Sequence, residues 1–368
     1  MKVLFLTKNN IYGNRNSGGN KCGGRNYDLL CQYYGTENVF VCLLSADKVD
    51  DIDIMCKKID VSSKTINRYW NYIFLRDGYS KDNEKEVIKY IDDLNPDIIF
   101  FDGTMFGGIL KKIRKKCKVI AFYHNIERHY TWTRIFHKSP ICILRYLSSF
   151  YNEKIITLNA DLRICLNTRD NRLLKRLYMK DADLLLPITL KDDFHQELID
   201  NEKSNSVLFV GSKFMPNVKG IKWFVKNVAP KIDCKVVVVG KGMETLSDQL
   251  KGNNIEVVGG VESLEIYYQK ADAVIMPIFV GDGMKVKTSE AMMYGKKIFA
   301  TKEALEGYEI AEGIECCNSD IEFINAIEKF YNTYDKKFQE EVRKNFLHNY
   351  ETENLYKKFS GFMKEKGY

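Results

Sequence analysis

Short apolar runs alternate with helical patterns along most of the chain. The apolar runs predict strands because each spans a few residues rich in Val, Ile, Leu and Phe. They lie at residues 1–7, 37–44, 97–103, 118–124, 182–188, 207–212, 235–240 and 271–277. Helical spacing separates them, for example at 25–35 and 84–95. Strands that alternate with helices predict right-handed βαβ units and parallel sheets.

The alternation occurs twice, and 368 residues exceed one ordinary core. We therefore predict the α/β class, with two doubly wound Rossmann-like domains facing a central cleft. The polar segment 191–205 marks the break between them. The N-terminal domain is assigned to 1–193 and the C-terminal domain to 194–345. Residues 346–368 are predicted to form a terminal helix that packs back on the N-terminal domain.

Several protein classes are excluded by composition. No apolar run reaches the roughly 20 residues of a membrane-spanning helix. The opening MKVLFLTKNN predicts a first strand rather than a signal peptide. Ten cysteines without CxxC spacing indicate reduced thiols, and His and Cys do not cluster as zinc ligands. We therefore expect a cytoplasmic protein without a metal site.

Positive charge is concentrated between residues 104 and 180, where 17 Lys and Arg face 4 Asp and Glu. One interpretation is an anionic partner, and the other is an ordinary solvated face. Within this segment, residues 129–154 interleave aromatic and apolar residues with Arg and Lys. Such a stretch is typical of peripheral contact with an anionic membrane; the alternative is an ordinary core helix with a solvated basic edge.

Glycine or proline ends three strands of the second half, in FVGS, VVVVGKG and VIMP. Ligands of parallel sheets bind at this edge. The next segment places Lys285 and Lys287 around the start of a helix that carries Glu290. Helix dipole and backbone amides at Gly283 and Met284 favour an anion there. The pattern predicts a diphosphate site with a ribose near Glu290; the alternative is a solvated helix and a lysine rim.

Taken together, these motifs resemble the nucleotide-binding half of GT-B glycosyltransferases, specifically the retaining family GT4 (glycosyl transferases group 1). The segments that carry the resemblance are FVGSKFMPNVKGIKWF (209–224), VVVVGKG (236–242), VVGGVESLEIYYQKAD (257–272), the D-x7-E spacing from Asp282 to Glu290, EAMMYGKKIFAT (290–301) and Glu306–Gly307. As a set they cover the second domain.

The resemblance implies a role for each matching residue. His124, Asp282, Lys285 and Glu290 form the implied catalytic set: His124 and Asp282 at the donor sugar, Lys285 at the diphosphate and Glu290 at the ribose. The implied donor-binding residues are Gly18, Gly19, Gly23, Gly24, Gly211, Lys213, Val258, Gly259, Val261, Gly283, Met284 and Lys287. Asp282 is a shorter acid than the family's Glu.

Two further positions depart from the family pattern. Ser212 and Asn217 stand where the family often has Arg and Lys, and Lys213 and Lys219 are the nearby substitutes.

The first domain supplies the implied glycine-rich loop at 9–24, before a helix predicted at 25–35. Gly23–Gly24 is the better phosphate candidate because it directly precedes that helix. The alternative is an ordinary surface loop. His124 ends a strand, where the family places a histidine on the donor sugar; a structural histidine is the alternative.

The implied activity is retaining transfer of a sugar from a nucleotide sugar, most commonly a UDP-sugar, to a saccharide or lipid-linked acceptor. No cofactor and no metal are expected. Two alternatives remain: a nucleotide-sugar epimerase of the same fold, and a non-catalytic partner subunit. GKGMET (240–245) lacks the third glycine of an NAD fingerprint. The acidic DID (51–53) and DAD (181–183) are interpreted as surface charge, and nucleic-acid binding is disfavoured by the donor-site motifs.

Overall fold

The structure is a computed structural model that describes residues 1–12, 18–47, 49, 55–113, 117–135, 140–195, 202–281, 283–334 and 338–368. The chain divides into two compact units. Unit 1 comprises Met1–Leu186 and Lys358–Tyr368, and unit 2 comprises Pro187–Lys357. No helix among the described residues is long and apolar enough to span a membrane.

Unit 1 contains a parallel sheet whose described strands follow the order β3-β2-β1-β4-β5-β6-β7. The strands are β1 (Val3–Thr7), β2 (Val39–Ser45), β3 (Cys56–Asp60), β4 (Ile98–Asp102), β5 (Lys118–Tyr123), β6 (Leu162–Cys165) and β7 (Leu184–Leu185). The helices are α1 (Gly18–Tyr34), α2 (Thr65–Ile73), α3 (Lys81–Leu94), α4 (Gly107–Leu110), α5 (Glu127–Ile135), α6 (Pro140–Asn159) and α7 (Thr168–Tyr178).

The three central strands of unit 1 are buried on both faces, as expected for a parallel sheet covered by helices. Phe5 of β1 stacks on Phe100 of β4 with centroids 5.5 Å apart, and Phe100 stacks on Phe122 of β5 at 6.3 Å. Phe122 then meets the edge of the His124 ring at 4.9 Å. This row of rings, the aromatic ladder, links the core to the strand ends.

Unit 2 repeats the parallel arrangement, with described strands in the order β10-β9-β8-β11-β12-β13. The strands are β8 (Ser206–Val210), β9 (Lys235–Val239), β10 (Ile255–Val258), β11 (Ala273–Met276), β12 (Lys297–Ala300) and β13 (Ile314–Cys316). The helices are α8 (Met215–Asn227), α9 (Glu265–Lys270), α10 (Val286–Met293), α11 (Asp320–Asn332), α12 (Glu340–Asn349) and α13 (Thr352–Glu365), the last extending into unit 1.

The two parallel sheets confirm the predicted α/β class. The sequence assigned 1–193 to the first domain, whereas the chain passes into unit 2 at Pro187. Residues just after Pro187 bond within unit 2: Leu190 N donates to Tyr350 O at 3.0 Å, and Asp192 pairs with Arg343. At the C-terminus, the part of the predicted segment 346–368 that belongs to unit 1 starts at Lys358.

The predicted loop 9–24 is wrong in its second half because α1 begins at Gly18 rather than near residue 25. Gly23 is buried where α1 crosses the sheet, and a Cβ there would lie 2.8 Å from Asp102 Oδ2. Close packing of the helix on the sheet therefore requires this glycine, although glycine is a poor helix former. The helical pattern was hidden by four glycines in its first two turns.

Candidate functional site

Glycines lie at the carboxyl ends of three adjacent strands of unit 2. Gly211 follows β8, Gly240 follows β9 and Gly259 follows β10. Backbone bonds join these ends: Gly211 N donates to Val239 O at 2.9 Å, and Gly240 N donates to Gly259 O at 3.1 Å. Gly240 has a φ of 156°, and a Cβ there would lie 2.1 Å from Gly211 O. Only glycine permits this close approach.

Lys287, in the first turn of α10, reaches the end of β8. Its Nζ donates to Asn217 Oδ1 at 2.6 Å and lies 5.0 Å from the centroid of the Phe209 ring. A Cβ on Gly211 would lie 3.0 Å from this ammonium and from the Asn217 amide. Burial lowers the pKa of Lys287 to about 8, and the charge of Lys285 adds to the shift. Its bonded partner is a neutral amide, so the cation has no ionic partner in this contact.

Lys285 has a different environment, although it lies only two residues away. Its Nζ donates to Gly283 O at 2.8 Å and to Glu303 Oε1 at 2.7 Å. The Lys285 side chain is 12% exposed, so this ion pair is largely shielded from water. Tyr308 OH donates to the Lys285 carbonyl at 2.8 Å and fixes the backbone just before α10. Of the two predicted diphosphate lysines, Lys285 is therefore the one already neutralised.

Glu290 lies three residues after Lys287, on the same side of α10. Tyr268 OH donates to Glu290 Oε2 at 3.4 Å, and Tyr268 stacks on Tyr294 with centroids 4.7 Å apart. Burial raises the pKa of Tyr268 well above its ordinary value, and the Glu290 charge adds to this effect. The phenol therefore stays protonated and holds one oxygen of a half-buried carboxylate.

The remaining predicted donor residues of unit 2 lie along the same edge. Val258, Gly259 and Val261 lie at and just after the end of β10. A Cβ on Gly259 would lie 2.8 Å from Glu244 Oε2. Lys213 N donates to Lys241 O at 2.9 Å, and its Nζ donates to Thr245 Oγ1 at 2.8 Å. Met284 is buried beside Gly283, directly before α10.

In unit 1, four side chains from three segments contact Asp102 at the end of the sheet. Its Oδ2 accepts from Thr7 Oγ1 at 2.7 Å and from Asn9 Nδ2 at 2.9 Å. Its Oδ1 accepts from Asn26 Nδ2 at 2.9 Å and pairs with His124 Nε2 at 2.8 Å. Asp102 is fully buried. Because β1, β4 and β5 are neighbours, their ends bring this hub together.

The charges of the hub stabilise each other. Burial disfavours the Asp102 carboxylate, but the His124 charge and the hydrogen bonds outweigh it and hold its pKa below the ordinary value. Burial also disfavours the imidazolium, yet Asp102 and Cys22 raise the pKa of His124 well above 6.5. Cys22 Sγ accepts from Arg25 Nη2 at 3.3 Å. Burial opposes a thiolate, but Arg25 and His124 lower the pKa of Cys22.

Within the described parts of the chain, no group of three or more His, Cys, Asp or Glu is arranged to hold a metal ion. The ten cysteines, all of them in described segments, form no disulfide.

The comparisons with known proteins agree with this geometry. Residues 204–333, which contain the strand-end glycines, Lys287 and Glu290, match the family model described as Glycosyl transferases group 1. The resemblance to the group 1 glycosyl transferases is confirmed. No curated protein sequence matches the chain.

Solved structures show that the chain has the GT-B fold. Sucrose-phosphate synthase from Thermosynechococcus elongatus is 15% identical, with a TM-score of 0.71 over 100% of this chain and 99% of that chain. A glycosyltransferase from Rickettsia africae is 14% identical, with a TM-score of 0.66 over 99% and 98%. HepE from Anabaena, solved in complex with UDP, is 12% identical, with a TM-score of 0.66 over 99% and 100%.

Relative to the predicted glycosyl transferase site, the structure brings some residues together and separates others. Gly211, Lys287 and Glu290 lie along one edge of unit 2. Gly18 and Gly19 open α1, whereas Gly23 and Gly24 are buried in its second turn. The prediction that Gly23–Gly24 immediately precedes the helix is therefore wrong. Asp282 lies outside the described residues.

Sequence reasoning missed the partners that hold the predicted side chains. Asp102 lies at the end of a predicted strand. An acidic residue at that position was the one sequence feature that could have indicated the cluster around it. Glu303 and Tyr268 gave no local pattern, because they approach Lys285 and Glu290 from distant parts of the sequence. Asn217, noted as a departure from the family's Lys, contacts Lys287 directly.

Proposed function

We propose that this protein is a retaining glycosyltransferase that moves a sugar from a nucleotide-sugar donor to a saccharide acceptor. The observation that carries the proposal is the Lys287 ammonium at the glycine-lined edge of unit 2. It lies beside Gly211, where a Cβ would come within 3.0 Å of the ammonium. The match of residues 204–333 to the group 1 glycosyl transferases supports the same reaction class.

In this proposal Lys287 contacts the diphosphate. Asn217 occupies the position of the family's second phosphate cation, but its amide oxygen accepts from Lys287 and directs that ammonium towards Gly211. A preorganised cation at this point stabilises the negative charge that develops on the leaving diphosphate. The start of α10 adds its dipole in the same direction.

The other predicted residues complete the donor site. Glu290, oriented by Tyr268, accepts hydrogen bonds from the ribose diol. His124, kept cationic by Asp102 and Cys22, is proposed to lie at the donor sugar. Asp282 is proposed to contact the sugar as well. Lys285 takes part by exchanging Glu303 for a phosphate oxygen, since the two anions compete for one ammonium.

We propose that the donor is a UDP-sugar and that the reaction requires neither a metal ion nor a cofactor. HepE structures contain UDP, UDP with glucose, and UDP-glucose. The acceptor is proposed to be a saccharide, in free or lipid-linked form. We place the enzyme in the cytoplasm, with peripheral contact between segment 104–180 and the inner face of an anionic membrane.

A nucleotide-binding assay combined with product analysis tests the proposal. Lys287→Met is expected to weaken UDP binding by about 10- to 100-fold, as for a lost charge-assisted hydrogen bond. Glu290→Ala and Lys285→Ala are expected to abolish transfer in folded protein. Lys226→Met removes an exposed lysine of α8 and serves as the matched control. Unchanged UDP affinity in Lys287→Met would contradict the site.

Product analysis separates the remaining alternatives. An epimerase would convert the donor sugar with no acceptor present, whereas a transferase needs an acceptor or releases sugar slowly to water. A non-catalytic subunit would bind no nucleotide in a thermal-shift series over UDP, GDP, TDP and ADP sugars. Stabilisation by one base alone would identify the donor class.

A further inference from the structure

Helix α2 presents several large apolar side chains to water. Ile66, Trp70 and Phe74 are 60%, 53% and 62% exposed, and Tyr69 and Ile73 are also exposed. Asn71 and Tyr72 are the residues of the helix that are buried. The five exposed positions repeat at intervals of three and four residues, which places them on one helix face. We call them the α2 stripe.

The α2 stripe is a continuous surface rather than five isolated side chains. Trp70 lies 6.5 Å from Phe74 in a stacked arrangement and 6.4 Å from Tyr69 edge to face, measured between ring centroids. Five half-exposed side chains present on the order of 400–500 Å² of apolar surface. A patch of this size on a monomer is commonly a binding surface.

The charges around the stripe have one sign. Between Val61 and Arg76 the sequence contains Lys64, Arg68 and Arg76 and no acidic residue. Lys64 and Arg68 are exposed, while Arg76 pairs with Glu84 at 3.2 Å. Trp and Tyr favour the membrane–water interface, and basic residues beside them attract anionic lipid headgroups.

We infer that the α2 stripe docks unit 1 on an anionic membrane surface. A dimer of this chain is the weaker interpretation, because a stable interface buries roughly 800 Å² on each partner and the stripe offers about half of that. The inference refines the proposed membrane contact: α2 supplies the main apolar surface, beside helix α6 of segment 104–180. It does not depend on sugar transfer.

The structure explains why segment 104–180 alone is a poor membrane surface. Its strands β5 and β6 are part of the sheet. Several of its cations pair with acids outside the segment: Lys112 with Glu84, Arg163 with Asp183 and Lys175 with Asp181. Its exposed apolar residues on α6, namely Ile143, Leu147 and Leu158, lie on a helix that packs against α2.

Flotation of the full chain with phosphatidylglycerol-containing and pure phosphatidylcholine vesicles tests the inference. Wild type is expected to float with the anionic vesicles. The double variant Trp70→Ser/Phe74→Ser is expected to lose binding at least about tenfold, and Arg68→Glu to weaken it. Ile321→Ser, at a 64% exposed position of unit 2, is the matched control and is expected to float like wild type.

A second measurement locates the contact. With Trp132 and Trp223 replaced by Phe, Trp70 is the remaining tryptophan, and lipids brominated in the acyl chain should quench it. UDP affinity measured on the same variants reports on the donor site separately. The inference is overturned if the double variant floats like wild type, or if only Leu147→Ser abolishes flotation. It is also overturned if the stripe forms a concentration-dependent dimer that does not bind vesicles.

Discussion

Because the pKa of Lys287 is low, we expect the affinity for UDP to depend on pH. Burial lowers its pKa to about 8; the charge of Glu290 opposes this shift and the charge of Lys285 adds to it. The protonated fraction is therefore about nine-tenths at pH 7 and about one-tenth at pH 9. A bound diphosphate restores the ammonium, because an opposite charge favours the protonated form. UDP affinity should thus fall about tenfold between these pH values, close to 1.4 kcal/mol.

Isothermal titration calorimetry of UDP over pH 6.5–9.5 measures the effect, and Lys287→Arg provides the reference. Arginine stays charged over the whole range, so its profile contains only the ionisations of UDP and of the other residues. The ratio of the two affinities isolates the lysine. Parallel profiles for wild type and Lys287→Arg would refute the argument, because they would show that the amine either stays protonated or does not meet the phosphate.

Three further changes test the two sheet edges. Asp102→Asn should lower the free energy of unfolding, measured in urea, by about 2–4 kcal/mol. The share of this loss that comes from the interaction with His124 is complete below pH 6.5, and it disappears as the pH rises through the raised folded-state pKa of His124. Gly211→Ala should weaken UDP binding about tenfold with little change in melting temperature, since its methyl group meets an ammonium and an amide at 3.0 Å; unchanged affinity would show that this space is not used. Tyr268→Phe should raise the KM for donor several-fold by releasing Glu290, and an effect on melting temperature alone would indicate a structural role.

The fold was accessible from sequence because its strands are short apolar runs separated by helices. The end of β8 and the start of α10 were predicted for the same reason, because their glycines and lysines directly follow short apolar runs in the sequence. The α1 boundary was missed because tertiary packing at Gly23 overrides a low helix propensity. Helix α2 was missed because it lacks a regular buried apolar face: Asn71 and Tyr72 are buried, whereas Trp70 is exposed.

The partners of the site residues were not predictable by local reasoning. Glu303 meets Lys285 across eighteen positions of sequence, and Asp102 meets Asn9 across ninety-three. Such pairs arise only when the sheet order brings strand ends together. The same is true of Asn217, whose contact with Lys287 spans seventy positions.

The Lys285–Glu303 pair makes anion binding at this edge an exchange rather than a capture. A phosphate that approaches Lys285 replaces a resident carboxylate, so the net number of ion pairs at this lysine does not change. Added salt screens the old pair and the new one alike. Ionic strength should therefore act on nucleotide affinity mainly through Lys287.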